Sequence, residues 1–240
     1  MFKPKTPQIA AVAKKFPERI TFLETVLTER TVVYLDYANV RGWSKRMGWQ
    51  IDLKKLKDLF DSFGIIEARF YFGTYTGDDK SQRFMTFVHK VGYKISTKPV
   101  KIMRLSIDVT SISVQSPDIL TNFIAETLLN QLRIETIEYL NEELRNLNKQ
   151  GKTHLEHPKC NFDVEIGSDM RVDHMLSRAE SFCLWSGDSD FAEPIKELLK
   201  AKKKVCVFGT ARGIASELNQ LKSCGLEIFD IKKLREFIEK

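Results

Sequence analysis

Short, wholly apolar runs alternate along the chain with stretches whose apolar residues recur every three or four positions. TVVYLD (31–36), IIEARFYFGTY (65–75), YKISTKPV (93–100), SFCLWS (181–186), KKVCVFG (203–209) and LEIFDI (226–231) are the strand candidates, rich in β-branched and aromatic residues. IDLKKLKDLF (51–60), DDKSQRFMTFVHKVG (78–92), segments near 191–201 and 213–222, and the closing KKLREFIEK have helical spacing. Gly92 stands where a helix C-cap is expected. VVYL and VCVF are apolar throughout, as strands covered on both faces must be. Strands alternating with helices over short connections predict an α/β fold with a mainly parallel sheet and right-handed crossovers.

Two regions break this rhythm. Residues 1–30 read as an N-terminal helical extension, with Pro17 opening a segment that runs to Arg30. The expected main domain is 31–240, interrupted at about 104–156 by a strand-plus-long-helix insertion. Its strand, RLSIDVTSISVQ, alternates apolar and polar positions and predicts one wet face. Its helix, 117–148, starts with Ser116 as N-cap and Pro117 in the first turn. Leu120, Ile124, Leu128 and Leu132, then Ile137, Leu140, Leu144 and Leu147, form an apolar stripe with a phase shift. Such a stripe packs on its own domain or on a second copy, so a homo-oligomer through the 117–148 helix is one expectation.

Composition narrows the function classes. Of 240 residues, 42% are hydrophobic and 29% charged, the balance of a globular domain. No apolar run approaches the ~18 residues of a membrane span, and MFKPKTPQIAAVAKKF lacks the apolar core of a secretion signal. Four scattered cysteines, two of them (Cys183 and Cys206) in apolar runs, fit core thiols and a reduced, cytoplasmic setting. A net charge of +6 suits a polyanionic partner.

The acidic residues give that charge a context. In parallel sheets, ligands bind beyond the carboxyl ends of the strands. The first strand ends in Asp36, with Asn39 close behind. The strand at 181–186 ends in SGDSD, with Asp188 and Asp190, and CNFDVEIGSDM between them adds Asp163 and Asp169. Each aspartate alone reads as a helix cap or turn residue; two strand ends converging on carboxylates is the stronger pattern. Crowded carboxylates raise one another's pKa unless a cation neutralises them. Oxygen ligands without His or Cys suit Mg or Mn, as one or two ions. The chemistry is that of nucleases and phosphatases. If a helix runs from Asp163, then Asp163 and Asp169 lie about 240° apart around it, and they share a site only if Asp163 precedes the helix or opens it. Asp173, between Arg171 and His174, reads as a solvated position. Arg41, Lys45 and Arg46, interleaved with Trp43 and Trp49 on the loop after Asp36, and Arg212 after a later strand, are candidate nucleic-acid contacts. The cluster Lys200–Lys204 reads as a solvated helix end.

LDYANVRG, KCNFDVEIGSDM, LWSGDSDFAEPIKELL and VFGTARGIASELNQLKSCGLEIFDI, in that order, resemble the NYN domain family, in particular its LabA-like branch within the PIN-like nuclease group. The resemblance covers roughly 31–103 and 157–232. It implies a PIN-like three-layer α/β/α sandwich with an acidic metal pocket, and metal-dependent endoribonuclease activity on single-stranded or structured RNA. It assigns the metal carboxylates to Asp36, Asp163, Asp188 and Asp190, a further catalytic carboxylate to Asp169, and supporting roles to Asn39 and Ser186. Cys160-Asn161 departs from the family's common glycine-valine stretch, and 104–156 has no equivalent in the minimal domain. Three alternatives stay open: an RNA-binding or regulatory module with little catalysis, a dehalogenase-like phosphatase (which needs an aspartate where Ala38 stands) and a Toprim-like enzyme (which needs a glutamate where Asp36 stands).

Overall fold

The computed structural model describes residues 1–75, 77–106, 113 and 119–240. Its elements are, in order, α1 (Pro7–Lys15), α2 (Pro17–Val26), β1 (Thr31–Asp36), α3 (Tyr37–Met47), α4 (Leu53–Asp61), β2 (Glu67–Thr74), α5 (Asp79–Val91), β3 (Lys94–Pro99) and β4 (Lys101–Ser106). Then follow α6 (Glu126–Leu129), α7 (Ile134–Lys149), β5 (His154–Lys159), α8 (Asp163–Met175), β6 (Ser181–Trp185), α9 (Ala192–Lys200), β7 (Lys204–Gly209), α10 (Ser216–Gln220), β8 (Glu227–Asp230) and α11 (Arg235–Ile238). Two compact units result. One joins Met1–Pro99 to Cys160–Lys240, and the other is Val100–Lys159.

The first unit is built on a six-stranded sheet in the order β3-β2-β1-β6-β7-β8, every pairing parallel. From β1 the chain steps outward to β2 and β3. It later returns to β6 on the other side of β1 and steps outward again. The winding therefore reverses between β1 and β6, and a crevice opens beyond their carboxyl ends, the usual ligand position in such sheets.

Strand alternation divides the core into two layers. Val33 and Leu35 of β1, Cys183 and Trp185 of β6, and Cys206 and Phe208 of β7 pack with α1–α4 and α11. Val32 and Tyr34, Phe182 and Leu184, and Val205 and Val207 face α8, α9 and α10. Helices on both faces make this an α/β/α arrangement. The indole of Trp185, fully buried, stacks on Phe208 at 5.0 Å and meets Trp43 at 6.3 Å. Burying a side chain of that size contributes about 3 kcal/mol. Cys183 and Cys206 are buried core thiols, as their apolar runs predict. α5 ends on Gly92 in the left-handed conformation, φ 99°, a position that any side chain would strain.

One helix went unpredicted. α3 begins directly after β1, where the sequence reads as a loop. Its apolar positions Val40, Trp43 and Met47 do recur at helical spacing, but the polar residues among them and Gly42 mask the period. Trp43 and Trp49 are buried, 3% and 7% exposed, so they are core residues rather than free stacking platforms.

In the second unit β4 and β5 pair antiparallel. β5, of sequence HLEHPK, carries no strand pattern of its own and is held by that pairing. The segment 117–148, whose phase-shifted stripe reads as a long helix or a helical hairpin, is a 3-10 turn at Leu120–Asn122, the short α6, and α7. Extended backbone at Ala125 (ψ 140°) and Arg133 (ψ 146°) separates them. The β-branched residues Thr121, Ile124 and Thr127 weaken a helix here. Buried Asn141 of α7 then accepts the backbone N–H groups of Ile119 and Leu120 at 2.8 and 3.0 Å, fastening the first turn against α7. On α7 Ile137, Leu140, Leu144 and Leu147 are half-buried, while Leu128 and Leu132 are exposed and Leu129 is buried in their place. The expected helix start at Ser116 and Pro117 lies outside the described residues. Among the described residues, no helix is long and apolar enough to cross a membrane.

Candidate metal centre

Register brings the site together. β1 and β6 run side by side, with Leu35 opposite Trp185, so the residues that follow them, Asp36 and Ser186, reach the same rim. Asp36 is 3% exposed and caps α3. Its Oδ2 accepts from Asn39 Nδ2 at 2.8 Å and from Ser186 Oγ at 3.2 Å. Ser186, fully buried, also accepts the backbone N–H of Asp188 at 3.4 Å. Asp188 in turn caps the 3-10 turn Ser189–Phe191 through Asp190 N–H at 3.2 Å. One hydroxyl therefore ties the end of β1 to the acidic loop after β6.

The third contribution comes from α8. Its first residue is Asp163, preceded by Phe162, which anchors the turn in the core. Asp163, Asp188 and Asp190 each offer a carboxylate oxygen, and these oxygens lie within 4.8 Å of one another. Asp163 and Asp188 are half-buried and Asp190 is exposed. Burial, then the neighbouring charges of Asp188, Asp190 and Asp36, push the Asp163 carboxyl above its ordinary value. Asp36 is also raised, by burial, against the pull of its hydrogen bonds from Asn39 and Ser186. The amino-terminal ends of α3 and α8 both meet this rim, and their dipoles offset part of the repulsion.

The donor set fits a hard divalent cation. All donors are oxygens, and the repulsion among them is what such an ion relieves. Asp163, Asp188 and Asp190 would hold it, with Asp36 contributing charge from behind.

Asp169 stands apart from this group. Asp163 opens the helix, yet six residues of helix turn Asp169 away. Its carboxylate accepts from Tyr71 Oη at 2.7 Å and pairs with Arg69 at 3.3 Å. It lines a different cleft, with Ser96, Lys98, Phe162 and Glu165. Asp173, which reads as solvated in sequence, is fully buried. It pairs with Arg69 at 2.7 Å and accepts from Tyr34 Oη at 2.6 Å. Arg69 also pairs with Glu67. This network, centred on an arginine embedded in the apolar strand β2, clamps α8 to the sheet. Nothing in the alternation of β2 marks Arg69 as inward-facing except that ARFYF places it in step with Tyr71.

A cleft of about 390 Å³ adjoins the carboxylates. Asn39, Gly42, Trp43 and Arg46 form its α3 wall, and Gly187, Asp188 and Gly213 close the other side. The two loops touch through bare backbone, for a Cβ on Gly187 would stand 1.8 Å from the carbonyl oxygen of Gly213. Of the basic residues singled out in the sequence, Arg46 lines this cleft. Arg41 falls on the opposite face of α3 and Lys45 on its flank by the helical period, and Arg212 is exposed on the loop after β7.

Comparison with known proteins agrees with this geometry at the level of fold. A crystal structure of a protein of unknown function from Vibrio parahaemolyticus superposes with a TM-score of 0.53 at 18% identity, covering 88% of this chain and 97% of that one. None of the curated proteins matches the chain. The parallel six-stranded sheet with flanking helices is consistent with a PIN-like fold. Among family models, the NYN domain matches residues 128–224, a stretch that holds Asp163, Asp188 and Asp190 but not Asp36, and in that stretch this chain is similar to the NYN domain of the PIN-like nuclease group.

Proposed function

We propose that this chain is a metal-dependent endoribonuclease that hydrolyses RNA phosphodiester bonds. The observation that carries the reading is the meeting of Asp163, Asp188 and Asp190 within 4.8 Å at the reversal point of a parallel sheet. The NYN match over the same residues supports it.

Asp163, Asp188 and Asp190 would bind one or two Mg or Mn ions. When bound, such an ion neutralises charge on the phosphodiester and makes water a nucleophile near neutral pH. The chain's own residues do the rest. Ser186 orients Asp36 and the Asp188 loop through hydrogen bonds to both. Asn39 holds the Asp36 carboxyl in place through its side-chain amide. Arg46 presents a fixed positive charge to a phosphate beside the carboxylates, and Arg41, Lys45 and Arg212 add to the field that draws a polyanion in. Motif order favours the LabA-like branch, and the buried free thiols Cys183 and Cys206 favour a reduced, cytoplasmic setting. Exposed Leu128, Ile134 and Tyr139 in the second unit favour self-association.

The test is cleavage of a single-stranded and a structured RNA by protein stripped of metal and then given Mg or Mn. Cleavage should require the ion and fall about 10²–10³-fold in Asp188→Asn, the loss of several kcal/mol of transition-state stabilisation. RNA binding without turnover under any divalent ion would instead identify a binding module, and cleavage persisting in EDTA would remove the metal from the mechanism.

A further inference from the structure

Gly42 is an anomaly in α3. Glycine is the poorest helix former after proline, so a helix-interior glycine calls for a reason. The usual reasons are absent. Gly42 is helical rather than left-handed, and a Cβ built on it would meet nothing within 4 Å. No neighbour is packed so closely that a side chain is forbidden. The missing side chain instead keeps open the cleft that Gly42 lines.

Two further features say what the cleft is open for. Asn39 and Arg46 stand one turn to either side of Gly42 on the same face, so the floor is bare backbone between an amide and a guanidinium. Arg46 is paired with no described carboxylate, although Asp188 lines the same cleft. Behind Gly213, Thr210 is buried, 3% exposed, and its Oγ1 is closed off from the cleft. That oxygen lies 2.5 Å from where a Cβ of Gly213 would stand, and Arg46 Nη1 lies 3.1 Å from the same point. Replacing Gly187 would push the β6 and β7 loops apart, and a side chain on Gly213 would press on Thr210 and Arg46.

We propose that this cleft is a subsite for the sugar-phosphate backbone of a single RNA strand. A phosphate would sit against Arg46, with the ribose laid over Gly42, next to the bond held at the carboxylates. A free guanidinium calls for an anion. A glycine-floored groove calls for a ligand that approaches helix backbone closely. The inference deepens the nuclease reading and rests on it for the identity of the strand, but the binding it describes is measurable without catalysis.

The experiment is equilibrium binding of a short single-stranded oligoribonucleotide, without divalent metal, to the full chain and to Gly42→Leu, Gly42→Ala and Arg46→Ala, with melting temperatures alongside. Gly42→Leu should weaken binding tenfold or more while its melting temperature stays at or above that of the wild type. Gly42→Ala, adding one methyl group, should bind nearly as the wild type does. Arg46→Ala should lower the slope of log affinity against log salt by about 0.7, the loss of one phosphate contact to a single strand. Binding by Gly42→Leu equal to the wild type would overturn the subsite. If Gly42→Leu melts lower, the Arg46→Ala slope decides, and an unchanged slope overturns it. Wild-type binding without cleavage would keep the subsite and reject the nuclease. Cleavage by the wild type and Gly42→Leu at equal rates would reject the subsite and keep the nuclease.

Discussion

Ser186 and Asp163 show how much of the site lies in single residues. Ser186 touches both Asp36 and the Asp188 backbone, while Asp163 sits among like charges on a helix end. In the unfolded chain Asp163 and Asp36 titrate near the ordinary aspartate value of about 3.9. In the fold both hold their protons to higher pH. Above that ordinary value the native state therefore binds more protons than the unfolded state, and stability falls as pH rises through the window. Metal-free Asp163→Asn should accordingly melt about 2–4 °C higher than the wild type at pH 7, the effect of roughly 1 kcal/mol in a chain of this size. The gain should vanish below about pH 4, where the carboxyl is protonated anyway. Thermal unfolding across pH measures both, and a destabilised Asp163→Asn at pH 7 would mean that its charge is satisfied within the fold. The partners of Asp163 were legible from sequence, because they follow apolar runs that had to be neighbouring strands. The resemblance set Asp169 beside the other carboxylates, whereas the roughly 240° between it and Asp163 around α8 turns it toward Tyr71 and Arg69. Asp173 was misread because its partners, Arg69 and Tyr34, lie 104 and 139 residues away in the chain.

At the scale of elements, α8 determines whether the carboxylates meet. It is fastened by the buried Arg69–Asp173 pair and the hydroxyls of Tyr34 and Tyr71. Breaking a buried pair leaves a charge uncompensated, so Arg69→Leu should cost about 3–5 kcal/mol in urea unfolding. Tyr34→Phe, which removes one hydrogen bond to a charged group, should cost about 1.5–3 kcal/mol. Asp169→Asn keeps an acceptor for Tyr71 and lies outside the carboxylate group; it should leave the cleavage rate within about threefold of the wild type. A loss as large as that of Asp188→Asn would restore Asp169 to the chemistry. Strands and most helices of the first unit were readable because burial on both faces writes itself as apolar runs. α3 was hidden by the polar, glycine-interrupted face that it presents to the cleft, and β5 by its dependence on β4. Local pattern failed where function or pairing, rather than core burial, chose the residues.

At the scale of the molecule, the second unit, Val100–Lys159, interrupts the first between β3 and α8. Its two ends lie close together, for Cys160 Sγ approaches the carbonyl oxygen of Lys98 at 3.9 Å. A short glycine-serine linker in place of 100–159 should therefore leave a chain that unfolds cooperatively and keeps the three carboxylates, as insertions between adjacent ends generally allow. The +6 charge and the basic residues around the rim are a property of the whole, and RNA affinity should fall steeply with salt. The nuclease reading depends on the acidic rim capturing a cation. The most direct measurement is calorimetric titration of Mn into metal-free protein, wild type against Asp188→Asn. Saturable binding by the wild type, weakened at least tenfold in the variant, is the expected result; equal affinity in the two, or none in the wild type, would contradict the account.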